Sequence, residues 1–448
     1  MKKKILSLAL VLVFALSLAP VSFALTEGDY KYTIQAGVAI IDEYIGSGGD
    51  VVIPSTIAGK TVTEIGENAF WYVKTIGKVT IPNTVTKING GVFRYSSLTE
   101  IIIPDSVRVI ANYAFAEAAL LKSVVIPDSV ESIGDGVFFD CDSLQNVKLP
   151  STLEMITHNM FQDCDSLTEI SIPETVTKLG NDAFFSCVNL ESIIIPSKVK
   201  EIPWSCFELC RKLTKVDLPY GLETIGEDAF ARTESLSSIV IPTTVKKIGM
   251  SAFFGSGLEE LVIPYGVTTY NGNLGEMYNT TAVYIPSTVK SPGLHVHSSP
   301  NLVIYCAAGS DAEKKCISEK YSYDIDASVD TLINVTYNGK RVSFGTYGQN
   351  PISENGRTLV PLRSIFEAMG ASVDWDQDSQ TVTAKLGSTT VKLQIGSSTL
   401  YRNGEAVTLD VPAKAISGRT LVPVRAVAES FGAAVEWNQA GAVVQIKK

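Results

Sequence analysis

Residues 98–119 read LTEIIIPDSVRVIANYAFAEAA and contain the pattern that decides the fold. Leu98, Ile101 and Ile103 are apolar with polar or mixed residues between them, and Ile101 and Ile103 alternate as in a strand that buries one face. Pro104 ends the strand, because proline cannot donate a hydrogen bond to a neighbouring strand. The first half of the segment therefore predicts a short strand followed directly by a turn.

The second half of the segment predicts further inward-facing side chains. Val107 and Ile110 face inward from a second short extended segment, and Phe115 fills the far wall. Eight other phenylalanines occupy the position of Phe115 in similar segments: Phe70, Phe93, Phe138, Phe161, Phe184, Phe207, Phe230 and Phe253. Each aromatic ring buries a large apolar area. A stacked column of these rings is therefore predicted to supply much of the core.

The segment belongs to a long internal repeat. Its IP or LP proline recurs eleven times: Pro54, Pro82, Pro104, Pro127, Pro150, Pro173, Pro196, Pro219, Pro242, Pro264 and Pro286. The first step, from Pro54 to Pro82, is longer than the rest, and every later step in residue number is 22 or 23. A unit this short cannot bury its own apolar face, so neighbouring units must stack. We predict a mainly β solenoid of about eleven rungs.

Four cysteines follow the phenylalanine column, and the number of each exceeds that of the last by 23: Cys141, Cys164, Cys187 and Cys210. The same slot holds Ser96, Ala118, Thr233 and Ser256 in other rungs, and free buried cysteine packs like these small residues. Metal binding requires ligands that converge from several directions rather than a single file. We therefore predict four reduced, inaccessible thiols. The total of seven cysteines is odd, and Cys206, which lies off the column, is the candidate for a lone thiol.

Residues 1–24 have the pattern of a secretory signal peptide. Three lysines precede an apolar run, and small residues at Ser22 and Ala24 form a cleavage site. We therefore expect an extracellular protein, secreted or at the cell surface, that is not an integral membrane protein after cleavage. The formal charge of the whole chain is −10, and an acidic protein repels the phosphate backbone, so we expect no binding to nucleic acid.

A second self-similarity, in which equivalent residue numbers differ by 62, replaces the repeat after residue 332. GRTLVPLRSIFEAMGASVDW begins at Gly356 and GRTLVPVRAVAESFGAAVEW begins at Gly418. Each copy contains a short apolar helix face that a glycine ends, and the dipeptide Asn-Gly in YNGKRV and RNGEAV indicates β-hairpins. Residues 332–448 therefore form a small duplicated α+β domain.

The repeats resemble the bacterial BspA-like family of leucine-rich repeat proteins. Its pattern appears as SLTEISIPETVTKLGNDAFFSC and SLSSIVIPTTVKKIGMSAFFGS. The resemblance implies a leucine-rich-repeat solenoid over residues 25–326, with a hairpin cap before it and a strand and short helix in NLVIYCAAGSDAEKKCISEKYSYDI after it. Members of this family are typically surface or secreted proteins that bind other macromolecules and are not enzymes through this domain.

The duplicated domain resembles the copper amine oxidase N-terminal domain-like family, found in secreted proteins of Gram-positive bacteria. An amine oxidase also needs a catalytic domain with three histidine copper ligands and a cofactor tyrosine. This chain has only three histidines, none of them in the duplicated domain. We therefore expect no enzyme activity and no cofactor. Such a domain is more plausibly an attachment or envelope-binding module.

Three smaller patterns could indicate a calcium loop, a metal-binding histidine pair and a disulfide. DWDQDSQ from Asp374 lacks the glycine and glutamate of a calcium loop, so a polar hairpin turn is expected. His295 and His297 share a strand face, but no third metal ligand is evident. Cys306 and Cys316 flank the turn into the cap helix and are candidates for a disulfide in an oxidising compartment.

Two pairs of residues occupy matched positions in the duplication: Arg363 with Arg425, and Trp375 with Trp437. Stacking of a glycan on the tryptophans is one interpretation. Core packing and structural ion pairs are the simpler one, and we expect those.

On each strand of the repeat, the position just before the last inward residue faces solvent. It is apolar in several rungs, and contiguous exposed apolar groups on a solenoid mark candidate partner-binding residues: Ile102, Val125, Ile194, Val240, Val262 and Tyr284. We therefore expect a non-enzymatic binding protein whose repeats recognise an extracellular protein or glycan. The alternative is a carbohydrate- or cell-wall-binding accessory protein in which the duplicated domain is the main binder.

Overall fold

The computed structural model describes residues 24–297, 299, 301–344, 349–416, 418–438 and 443–448. The predicted signal peptide, residues 1–24, lies outside the described residues except for Ala24. The repeats form a β-solenoid of about 12 turns with a spacing of about 23 residues, close to the eleven rungs that the prolines predict. One continuous hydrophobic core runs through the repeats from Tyr30 to Cys316, and a separate core fills the duplicated domain.

The first side of the solenoid is a ladder of short parallel strands, which we call the front ladder. Most of its strands end one inward-facing residue before the repeated proline. The strands are Gly49–Val52, Ile76–Thr80, Glu100–Ile102, Ser123–Val125, Asn146–Lys148, Ser192–Ile194, Lys215–Asp217, Glu260–Val262, Ala282–Ile285, Val303–Cys306 and Tyr323–Ile325. In two further rungs, residues 169–171 and 238–240 occupy the equivalent position but form no regular strand.

The second side is a ladder of two-residue parallel strands. They contain the predicted second inward segment and lie at Lys87–Ile88, Val109–Ile110, Ser132–Ile133, Met155–Ile156, Lys178–Leu179, Glu201–Ile202, Thr224–Ile225, Lys247–Ile248 and Thr269–Tyr270. A turn joins the two ladders in each rung. In the rung of residues 98–119, the carbonyl of Pro104 accepts a hydrogen bond from the N–H of Val107 at 3.1 Å. The proline thus ends one strand and starts the turn to the next.

The third side carries the phenylalanine column that the sequence predicts. Eight consecutive rings from Phe93 to Phe253 have centroids 5.4–5.8 Å apart and stack within 13° of parallel. Backbone hydrogen bonds join the same rungs, as between the N–H of Phe115 and the carbonyl of Val137 at 3.0 Å. The third side therefore joins neighbouring rungs by ring stacking and by backbone hydrogen bonds.

The cysteine column lies directly inside this third side. All four column cysteines are fully buried and free, as predicted. Each thiol also donates to the carbonyl of the phenylalanine one rung earlier, at 3.0–3.1 Å, as between Cys187 and Phe161. Burial is the main cause that raises the pKa of each of these thiols. The cysteines therefore fill a small slot and also bond buried carbonyls.

Both ends of the solenoid are closed. At the N-terminal end, Leu25–Glu27, Tyr30–Gln35 and Val38–Tyr44 pair antiparallel, and Lys60–Ile65 pairs with Thr56–Ile57 and leads into the second ladder. At the C-terminal end, helix α1 (Asp311–Glu319) follows the last rungs, as predicted, and the side chain of Ser310 caps it. A 3-10 turn at Ala327–Asp330 then leads to the duplicated domain.

The described residues of the duplicated domain form three sheets and two short helices, α2 (Leu362–Ala368) and α3 (Val424–Ser430). In each sheet the strands are named in their spatial order. The first sheet contains Lys340–Arg341, Asn334–Tyr337, Val443–Lys447 and Ala434–Asn438, and the second contains Ile352–Glu354, Arg357–Pro361, Arg419–Pro423 and Lys414–Ile416. The third contains Ser372–Asp376, Thr381–Leu386, Thr389–Gln394, Thr399–Arg402 and Glu405–Thr408.

The internal duplication produces a local two-fold arrangement. Helix α3 is the copy of helix α2 in the second half of the domain, and the equivalent strands before the helices pair antiparallel with each other. Val360 lies opposite Val422, its own equivalent, so the local two-fold axis passes through this pair. The ring of Phe366 in helix α2 meets the ring of Phe431, which follows helix α3, edge to face with centroids 4.9 Å apart. The α+β prediction is confirmed.

The column predicts unequal costs for two neighbouring phenylalanines. Phe184→Ala removes a fully buried ring from the column and should lower the free energy of unfolding by about 3–5 kcal/mol. Phe185→Ala removes a half-buried ring and should cost less than about 1.5 kcal/mol. Urea denaturation of both variants measures the difference. Equal losses would contradict the assignment of the core to the column.

Burial of the thiols predicts their reactivity. At neutral pH, iodoacetamide should label none of the four column cysteines in the native protein, because burial excludes the reagent and raises their pKa. All four should label in denaturant without a reductant, which mass spectrometry of the peptides reads directly. Recovery of two column cysteines as a cross-linked pair would show the prediction to be wrong.

Candidate interaction surface

The outward side chains of the front ladder form the candidate surface. Ile102 is 46% exposed, Val125 57% and Ile194 64%, so these three predicted residues face solvent. The structure adds Val52, which is 70% exposed at the same position of the first rung. Sequence reasoning missed Val52 because the first step of the repeat, from Pro54 to Pro82, is longer than the later ones.

Polar side chains lie between these apolar ones. Thr80, Lys148 and Ser171 occupy the same outward position in the intervening rungs and are exposed or half-exposed. Parallel pairing places Thr80 beside Ile102 and Lys148 beside Val125, whereas residues 169–171 have no regular pairing. We call the part of the front ladder from Gly49 to Ile194 the free ladder.

The later rungs differ from the prediction. Val262 and Tyr284, predicted to be exposed, are only 6% and 3% exposed, so that prediction is wrong for both. They form a separate small core with Val329 of the 3-10 turn, and Leu332 packs against it. The ring of Tyr284 stacks on Tyr305 at 4.9 Å. The chain's own linker therefore covers this part of the ladder.

Val240 lies at the edge of the covered region. It is half-buried and lines a cleft of about 750 Å³ between the solenoid and the duplicated domain. Asn338 and Gln445 line the same cleft from the other side. Val240 is thus less accessible than predicted.

A buried ion pair joins the solenoid to the duplicated domain. The side chains of Glu260 on the front ladder and Arg341 in the first sheet of the domain are 6% and 7% exposed and form a direct ion pair. Ser343 donates to the other carboxylate oxygen of Glu260 at 2.6 Å, and Nε of Arg341 donates to Asn334 at 3.0 Å. Both charges are therefore hydrogen-bonded as well as paired, which burial requires.

A second set of hydrogen bonds fixes the linker. The carboxylate of Asp330 accepts from the N–H and the hydroxyl of Ser287, both at 2.7 Å. The amide of Asn350 donates to Asp326 at 3.2 Å. Together with the ion pair, these contacts hold the duplicated domain against the last rungs and leave the free ladder uncovered.

The two histidines of the sequence HVH lie on the surface. The rings of His295 and His297 are exposed and stack with centroids 6.5 Å apart. Across the part of the chain that the structure describes, no group of three or more His, Cys, Asp or Glu residues is placed to hold a metal ion.

The loop from Asp374 is a hairpin turn, as predicted. The side chain of Asp376 accepts hydrogen bonds from the backbone N–H groups of Asp378 and Ser379 at 3.0 Å. These bonds hold the pKa of Asp376 below its usual value. The carboxylate therefore stabilises the turn itself.

Cys306 and Cys316, the candidate disulfide pair, are buried free thiols in the structure. Burial is the main cause that raises their pKa values, to about 11 for Cys306 and about 12 for Cys316. A bridge between them stays a prediction. Cys206, the candidate lone thiol, is also buried and free, beside Phe207.

The simpler interpretation of the matched tryptophans is wrong. Trp375 is 38% exposed and Trp437 47%, so neither belongs to the core. The matched arginines do form ion pairs within their helices, Arg363 with Glu367 at 3.6 Å and Arg425 with its equivalent glutamate at 3.8 Å, but all four side chains are more than half exposed. Such exposed pairs contribute little to stability.

The repeats and the duplicated domain both match known families. The model described as the BspA type leucine-rich repeat region matches residues 63–191 and 178–302, more than half of the chain. The chain belongs to the BspA-type leucine-rich repeat family. Proteins with leucine-rich repeats generally bind proteins. The model of the copper amine oxidase N-terminal domain, a non-catalytic domain, matches residues 336–446.

Several solved structures resemble this chain. The pneumococcal vaccine antigen PcpA is 21% identical over 68% of this chain and 98% of its own, with a TM-score of 0.47. A leucine-rich cell surface protein from Faecalibacterium prausnitzii is 25% identical over 66% of this chain and 97% of its own, with a TM-score of 0.43. A leucine-rich repeat protein from T. pallidum is 29% identical over 46% of this chain and 88% of its own, with a TM-score of 0.35.

No curated protein sequence matches this chain. Among the described residues, every helix is too short or too polar to cross a lipid bilayer.

The buried ion pair predicts unequal effects of two arginine substitutions. Arg341→Ala leaves Glu260 buried without its charge partner and should destabilise the contact between solenoid and domain by about 3–5 kcal/mol. Arg357→Ala breaks an exposed pair with Asp410 and should cost less than about 1 kcal/mol. Limited proteolysis of the linker near residue 331 should accelerate only in Arg341→Ala. Equal cleavage of the two variants would contradict this role of the ion pair.

Proposed function

We propose that this protein is an exported, non-enzymatic binding protein of the cell surface, and that its free ladder recognises an extracellular protein. The observation that carries the proposal is the row of exposed aliphatic side chains at one outward position of successive rungs. Val52, Ile102 and Val125 lie within a span of about 15 Å at about 4.8 Å per rung. Polar neighbours surround them, as in the rim of a protein interface.

The position of the duplicated domain supports this division of roles. Because the domain packs on the last rungs, it leaves the free ladder open on the same molecule. We infer that the domain is the module that attaches the protein to the cell envelope. This arrangement presents the free ladder to partners while the other end is held.

The second candidate function is a carbohydrate- or cell-wall-binding accessory protein in which the duplicated domain is the main binder. The exposure of both Trp375 and Trp437, at matched positions of the duplication, favours it, because tryptophan is enriched among the residues that carry binding energy at interfaces. The two candidates differ in which surface is required for binding.

Charge substitutions on the free ladder test the first candidate. We replace Ile102, Val125 and Ile194 together by lysine in the full chain and immobilise the protein on a column. This variant should retain extracellular glycoproteins less than the wild type, because burying three charged side chains in an apolar interface costs desolvation free energy. Expected losses are at least about tenfold. Circular dichroism should be unchanged, since the three side chains point into solvent.

Two exposed apolar residues away from the front ladder provide the matched control. Leu120 and Met250 are each 49% exposed, and their replacement by lysine should leave retention unchanged. If the triple variant retains the same glycoproteins as the wild type, the free ladder is not the binding surface. If retention is lost with the control pair instead, the site lies elsewhere on the solenoid.

A further inference from the structure

The duplicated domain contains two open grooves on its surface. The first has a volume of about 630 Å³ and is lined by Trp375, Arg363, Glu367 and Arg419. The second has a volume of about 740 Å³ and is lined by Trp437, Arg425, Glu429 and Arg357. Both volumes lie in the range of ordinary ligand sites.

The two grooves are equivalent under the internal duplication. Adding 62 to the numbers of Trp375, Arg363 and Glu367 gives the tryptophan, helix arginine and glutamate of the second groove. The strand arginines Arg357 and Arg419 are also equivalent, but each lies in the groove of the other repeat. Each groove is therefore built from both repeats, as the local two-fold axis through Val360 and Val422 requires.

The apolar floor of the grooves is duplicated as well. Leu362, Val373 and Val382 line the first groove, and their equivalents Val424, Val435 and Val444 line the second. The indole N–H of Trp375 donates to Gln377 at 2.9 Å, which fixes the ring at the groove while it stays 38% exposed. A fixed, exposed indole beside an apolar floor offers a flat surface for an apolar ligand face.

The arginines of the first groove can pair with a negatively charged ligand. Within the described residues, no carboxylate lies within ion-pair distance of Arg419, and Arg363 reaches Glu367 only at 3.6 Å. In the second groove, Arg357 pairs with Asp410 at 2.7 Å, so less positive charge is available there. The guanidinium fork matches a carboxylate in two parallel hydrogen bonds.

The charge of the whole domain points in the same direction. Residues 332–448 contain 12 Lys and Arg against 9 Asp and Glu, a formal charge of +3, in a chain whose total is −10. The duplicated domain therefore attracts anions while the solenoid repels them. A ligand of the grooves is more favourably an acidic than a basic molecule.

We propose that the twin grooves bind a polysaccharide that carries carboxylate groups. One face of a sugar ring packs on the indole, and the arginines of the groove hold the carboxylate. Two equivalent sites in one domain suit a ligand with a repeating unit, because the same unit can occupy either groove. This inference deepens the envelope-attachment role proposed above by naming its site and ligand class, and it does not depend on the free ladder.

Binding of polygalacturonate to the full chain tests the proposal. The wild type should bind in affinity electrophoresis, and the double variant Trp375→Ala with Trp437→Ala should bind at least about tenfold more weakly. Trp71 and Trp204 are exposed tryptophans of the solenoid, 53% and 49% exposed, and their double alanine variant should bind like the wild type. Equal losses in the two double variants would overturn the proposal.

The arginines supply an independent variant in case the tryptophan changes disturb folding. Arg419→Gln removes an exposed charge that has no ion pair among the described residues, so the thermal unfolding midpoint should be unchanged. Its affinity for polygalacturonate should fall several-fold, and salt should weaken wild-type binding more than that of the variant. Because Arg357 is already paired, Arg357→Gln should cost less affinity than Arg419→Gln. Wild-type affinity in Arg419→Gln would overturn the role of the arginine.

Two further polymers define the ligand class. Neutral dextran and polyglutamate should both bind at least about tenfold more weakly than polygalacturonate, because each lacks either the carboxylate or the sugar face. Equal binding of polyglutamate would assign the grooves to acidic peptides. Equal binding of dextran would show that the ligand needs no carboxylate. Either result overturns the proposal. No binding of polygalacturonate also overturns it. The lysine variants of the free ladder should bind polygalacturonate normally, which separates this test from that of the ladder.

Discussion

The structure depends on one constraint: a single rung is too short to bury its own apolar side chains. Each rung must therefore present the same inward positions as its neighbours, in register, or the core opens. The phenylalanine column shows the constraint most clearly, because each ring packs on the equivalent ring of the next rung, with centroids 5.4–5.8 Å apart. The cysteine thiols follow from the same register, since each finds a phenylalanine carbonyl one rung away.

Features that recur in every rung could be predicted from the sequence. The proline that ends each strand, the inward phenylalanine and the small slot behind it appear many times, so each occurrence supports the others. The duplication of the C-terminal domain likewise predicts two equivalent helices, and the structure places them at Leu362–Ala368 and Val424–Ser430. Periodic patterns report local structure because the same physical demand acts at every repeat.

Features that occur once could not be predicted in this way. Val262 and Tyr284 have the same sequence pattern as Val125, yet the linker covers them, because periodicity does not record which rung receives a neighbour. The pairing of Glu260 with Arg341 joins residues 81 positions apart, and no spacing rule links them. The exposure of the two matched tryptophans could not be predicted for a related reason. Duplication shows that a position is retained in both copies, but not whether the side chain belongs to the core or to the surface.

The position of the contact between solenoid and domain has a consequence for how such a chain can change over generations. Glu260 and Ser287 lie on the last rungs, so unequal recombination that adds or removes one whole repeat unit farther upstream leaves the contact intact. Such an event lengthens or shortens the free ladder by one step of about 4.8 Å and disturbs neither end. The molecule separates a segment whose length can vary from a junction whose geometry cannot.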